Sequence, residues 1–163
     1  MKPRTTLTIA WSVWALSMVA LLVPFAYRLT GHRVAGLGTQ SGSIAPVITV
    51  LLFIPIFATV GAVLAAKRPT NPIGWLLSAT GLCYALGTLA ILVGHFSARW
   101  SDWLQNWVWG LGIGIPATLV LLLFPTGHLP SRRWRPVAWI TGMVLAAIVI
   151  GSAFQPGVIE GSH

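Results

Sequence analysis

Five long apolar runs, separated by short polar stretches rich in glycine, proline and arginine, set the pattern of this sequence. The runs cover about residues 7–27, 44–66, 73–96, 103–124 and 137–154. A helix of about 20 residues is about 30 Å long, the thickness of bilayer hydrocarbon. The pattern therefore predicts an all-α, polytopic membrane bundle of about five transmembrane helices. It is expected to form a single transmembrane domain over residues 1–163, with no soluble domain.

Prolines and glycines mark the ends and weak points of these runs. Pro24 is expected to kink or end the first helix, and Pro55 to kink the second, while Pro46 is tolerated in a first turn. In Arg68–Leu77, RPTNPIGWLL, the two prolines preclude a continuous helix. Asn71 is a candidate N-cap with Pro72 at the first helical position, where a missing N–H costs nothing. Trp75 would then lie at headgroup level. Ala58 and Ala62, with Gly61 and Ala65, have the small-xxx-small spacing that lets helix backbones approach. Gly110 and Gly114 repeat that spacing in the fourth run, and Pro116 follows two residues on, so Gly110–Pro116 is the candidate packing face or hinge. Trp100, Trp103 and Trp107 share one helical face. They form either an interfacial aromatic belt or an outer-face contact for an apolar or cationic ligand.

Composition agrees with the pattern. The 163 residues are 56% hydrophobic and 7% charged, against about 25% charged in soluble domains. Mean hydropathy is +0.83. The first run is longer than the hydrophobic core of a signal peptide, so it is expected to be a retained span. The net charge of +8 would suggest nucleic acid in a soluble protein. Here the basic residues sit at span ends, where anionic headgroups and topology want them.

Charge also orients the chain. Lys2, Arg4, Lys67, Arg68, Arg132, Arg133 and Arg135 fall on one side of a five-span bundle, and Arg28, Arg33 and Arg99 on the other. The positive-inside rule places the richer side, with the N-terminus, in the cytoplasm of a cell-membrane protein. Lys67, Arg68, Arg132, Arg133, Trp134 and Arg135 are then topology and lipid anchors. Glu160 and His163 are expected outside.

Catalytic chemistry is sparse. The two acids, Asp102 and Glu160, lie far apart, and no charged residue sits in mid-span, where ion-coupled transporters keep one. No HExxH, GxSxG, Walker A or Rossmann pattern occurs. His32 has no ligand partner near in sequence, and His95 lies near Arg99, Trp100 and Asp102. His128 reads as a solvated turn histidine with pH sensing as the alternative, and the lone Cys83 excludes an intrachain disulfide. No catalytic residue, cofactor or metal is expected. The expected partners are a bilayer with anionic headgroups and a second copy of the chain, not nucleic acid.

Two stretches, AAKRPTNPIGWLLSATGLCYAL (Ala65–Leu86) and LLLFPTGHLPSRRWRPVAW (Leu121–Trp139), carry a family resemblance. Together, in this order and with this span count between them, they resemble the membrane-spanning input region of bacterial two-component sensor histidine kinases, of the kind common in high-GC Gram-positive bacteria. The resemblance covers about residues 58–157. His128 stands where that family more often has arginine. The resemblance implies a sensor that passes a stimulus to a cytoplasmic kinase core. These residues contain neither a phospho-acceptor helix pair nor an ATP-binding domain, and a kinase core would need one further crossing to be cytoplasmic. The chain is thus expected to be the N-terminal part of such a receptor or a free-standing relative. The competing expectations are a structural or anchor subunit of a membrane complex and a transporter subunit.

Overall fold

The computed structural model describes residues 3–30, 45–93, 98–124, 127–129 and 131–154. His32, His95, Glu160 and His163 lie outside the described residues, as do Pro125 and Pro130. All the regular structure among the described residues is helical. α1 (Pro3–Leu29), α2 (Ala45–Lys67) and α3 (Pro72–Val93) precede α4 (Ala98–Gly114). α4 runs on as a π-helical segment (Ile115–Val120) and a last α turn (Leu121–Leu123). A 3-10 turn (Arg132–Trp134) leads into α5 (Arg135–Ala153). Among the described residues five helices are long and apolar enough to cross a membrane, and the protein is a multi-pass membrane protein.

The helix boundaries follow local chemistry. Asn71 Oδ1 accepts the Ile73 N–H at 3.0 Å and Pro72 opens α3, so the Asn-Pro pair is the cap its sequence suggests. α1 and α2 both continue past their internal prolines, Pro24 and Pro55. Each proline removes one backbone donor. Pro24 is nonetheless fully buried, so its ring serves as packing surface.

α3 is the central helix. In its spanning window 44% is buried, against 6% in that of α5. α2 packs on α3 through small residues. Ala58, Ala62 and Ala65 are buried on α2. A Cβ added at Gly61 would meet the Ser78 backbone, one at Gly74 would lie 2.9 Å from the Leu64 carbonyl carbon, and one at Gly81 2.7 Å from the Ala58 nitrogen. The two backbones are therefore in direct contact. In lipid, that close approach replaces the hydrophobic drive that water would supply. α1 lies against both helices through Ala10, Ser17, Ala20, Leu21 and Pro24. The Trp14 indole donates to Thr59 Oγ1 at 3.0 Å and ties α1 to α2.

Tyr84 joins this three-helix unit to α4. Its ring lies edge-on to Phe53 of α2 at 6.3 Å, and an added Cβ at Gly112 of α4 would touch it at 3.5 Å. α5 packs on α4 and its π segment and is otherwise peripheral, with most of its apolar side chains exposed to the surroundings.

Candidate functional site

One end of the bundle brings the two resembling stretches together. Arg68 N–H closes the last turn of α2 on the Leu64 carbonyl at 2.8 Å, and the Asn71 N–H returns to the Arg68 carbonyl at 3.0 Å. The Trp75 indole donates to the Pro69 carbonyl at 3.2 Å. The chain thus turns tightly from Lys67 to Pro72, with Lys67 and Arg68 exposed. Opposite it, Phe124 and Gly127 donate to the carbonyls of Val120 and Leu123 at 2.9 and 2.7 Å. Gly127 is buried and has φ +78°, the left-handed conformation that L side chains rarely adopt. It sits directly on Asn71, and an added Cβ would lie 2.7 Å from Asn71 Cγ.

The anchor residues follow this turn. The Trp134 N–H closes the 3-10 turn on the Ser131 carbonyl at 3.1 Å. Arg132, Arg133 and Arg135 are all exposed, and Trp134 is 46% exposed. The basic cluster therefore stands free of the helix packing, at the same end of the bundle as Lys67 and Arg68. His128 is exposed beside it.

The Gly110–Pro116 stretch lies at a change of helix type. Pro116 has no N–H to give to the carbonyl four residues back, and the helix takes the wider π form from Ile115 to Val120. The Thr118 hydroxyl donates to the Gly114 carbonyl at 2.5 Å. Gly110 and Gly114 face α5, where an added Cβ at Gly110 would be 3.8 Å from Ile148 and one at Gly114 would strike Leu145. Between these walls lies an apolar groove of about 480 Å³.

The tryptophan face is at the other end. Trp100 and Trp103 meet edge to face at 5.9 Å, and Trp103 and Trp107 at 5.6 Å. The sequence places them on one face, and the structure adds a role that spacing does not reveal. The Trp103 indole donates to the Ala153 carbonyl at 2.8 Å, and the Asn106 amide to the Ser152 carbonyl at 2.9 Å. Both carbonyls belong to the last turn of α5, where the regular helical ladder runs out, and the Phe154 N–H also reaches the Ser152 carbonyl. Trp100 stays 61% exposed, and the Trp107 indole N–H is buried with no hydrogen-bond partner. The only sequence signal for this clamp is the polar Asn106 near the start of an apolar run.

Among the described residues no group of three His, Cys, Asp or Glu side chains could hold a metal ion. No family model, curated protein or solved structure matches this chain.

Proposed function

We propose that the chain is a membrane-embedded sensor or input module, of the kind that precedes the kinase core in two-component sensor histidine kinases. The observation that carries the reading is the seating of Gly127 on Asn71. The two stretches that resemble the sensor family, about 55 residues apart, form one turn-on-turn unit at one end of the bundle. By the positive-inside bias that end is cytoplasmic, the side on which a kinase would receive the signal. Signalling also needs an element with two arrangements. The π segment at Ile115–Val120 is that element, because a π register converts to α by shifting one hydrogen-bond step. A stimulus reaching α4 or the Trp100–Trp107 face would move α4 and α5 against the α1–α3 unit.

On this reading the chain itself catalyses nothing. A transporter subunit is less well supported, because the buried Ser17, Thr80 and Thr88 hydroxyls donate to carbonyls of their own helices rather than to a shared polar path. An anchor subunit is favoured by one feature, the lipid-exposed apolar surface of α5. The deciding experiment removes the gene and profiles transcripts after membrane stress by benzyl alcohol or a cationic peptide. A sensor predicts one coherent set of genes that loses its response and regains it with the wild-type chain. It also predicts that Gly110→Leu with Gly114→Leu fails to restore it. An unaltered profile, together with stoichiometric co-purification of one membrane protein, establishes the anchor instead.

A further inference from the structure

We infer that the groove between α4 and α5, with the arginines at its loop end, is a binding site for one anionic diacyl phospholipid. The walls are Gly110, Gly114 and Thr118 on one side and Thr141, Val144 and Leu145 on the other. The groove extends along α5 from Ile140 to Ile148, about 12 Å of helix. The groove is almost wholly apolar, a lining suited to extended hydrocarbon chains. Ile113, Val144 and Ile148 are each more than half exposed, so the groove opens sideways to the bilayer. Acyl chains can enter without passing through water.

Charge selects the headgroup. Arg132 and Arg133 lie in the 3-10 turn that leads into α5, and Arg135 opens α5, a little over one turn before the groove-wall residues Ile140 and Thr141. The three arginines therefore cluster at the loop end of the groove, with Trp134 among them at headgroup level. All three arginines are exposed. No acidic residue lies between Asp102 and Glu160, so nothing in this part of the sequence competes with a phosphate for them. A guanidinium fork matches phosphate oxygens in a way a zwitterionic headgroup partly cancels. The inference holds whether or not the chain transmits a signal.

The test reconstitutes the full chain in nanodiscs containing a trace of phosphatidylglycerol or phosphatidylcholine with a photoactivatable diazirine in one acyl chain. Adducts are mapped by mass spectrometry. The expected adducts concentrate on Gly114, Val144 and Leu145 and favour phosphatidylglycerol. Arg133→Gln should reduce that preference by about fivefold, the effect of one basic residue at a membrane surface. Gly114→Leu, which fills the groove, should abolish the groove adducts. Val144→Phe fills it from the opposite, half-exposed wall and keeps the test open where Gly114→Leu fails to fold. Adducts spread evenly around the helices, groove adducts that survive both filling variants, or equal labelling by the two headgroups in the wild type would each overturn the inference.

Discussion

Gly127 rests on the Asn71 carboxamide, joining the turn after the fourth helix to the cap of the third. The same Asn71 oxygen that holds the Ile73 N–H at 3.0 Å is the atom an alanine methyl at position 127 would displace. Gly127→Ala therefore carries two penalties: a left-handed backbone and a collision with a working cap. The expected loss is about 2 kcal/mol, read as a lower midpoint in reversible SDS unfolding from mixed micelles. Asn71→Ala alone should cost about 1 kcal/mol as a lost cap. Because Asn71→Ala also removes the obstacle, the double variant should cost less than the sum by at least about 0.5 kcal/mol. Strict additivity would show that the two residues do not communicate.

The glycines of the bundle divide by what surrounds them, and the division is measurable. Gly81 faces Ala58 across the α2–α3 interface, with its added Cβ 2.7 Å from a backbone nitrogen that cannot yield. Gly81→Leu should force the helices apart and cost about 2 to 3 kcal/mol. Gly142 on α5 has nothing within 4 Å of an added Cβ. Gly142→Leu should stay within about 0.5 kcal/mol of the wild type by the same unfolding measurement. Equal effects at the two positions would contradict the packing.

Much of this fold is legible in the sequence because lipid imposes simple rules. Only long apolar helices satisfy their own backbone in hydrocarbon, so the five runs give five helices with ends displaced by a few residues. The Asn71-Pro72 start is legible because a cap is local chemistry. Contacts between helices are less so. Ala58, Gly61, Ala62 and Ala65 signal a packing face, but their partners Gly74 and Gly81 sit in a run where small residues occur on several faces. Pro116 announces a perturbed helix without fixing that it takes a π register. The Asn71–Gly127 contact and the reach of Trp103 to Ala153 depend on how α4 and α5 are placed. No periodicity within either segment encodes that placement.

Trp103 and Asn106 hold the end of α5 by donating to Ala153 and Ser152 at 2.8 and 2.9 Å. Removing one donor should loosen this last turn, at about 1 kcal/mol. Trp103→Phe keeps an aromatic ring but loses the indole N–H. Hydrogen exchange of the amides at 150–154 should then rise about fivefold, with exchange in α2 and α3 unchanged. Asn106→Leu should act in the same direction. Uniform acceleration throughout the bundle would mean that these contacts support the whole fold instead of its last turn.

Orientation gives the last prediction. Seven basic residues flank one side of the bundle and three the other, which under the positive-inside rule commits the turn at Lys67–Pro72 and the stretch at Ser131–Arg135 to the cytoplasm. Exposed positions are available on both sides. Thr70 and Ser131 lie at one end, and Thr30 and Asp102 at the other. In a Cys83→Ala background, single cysteines at 30 and 102 should react with an impermeant maleimide in intact cells. Cysteines at 70 and 131 should react only after permeabilisation. Replacing Arg132, Arg133 and Arg135 together with glutamine removes three of the seven charges and leaves four against three. The cysteine at 131 should then become partly labelled in intact cells, since the bias that retains this turn inside has nearly vanished. Labelling of 70 and 131 in intact wild-type cells would reverse the orientation, and with it the assignment of the arginine cluster to the cytoplasmic leaflet.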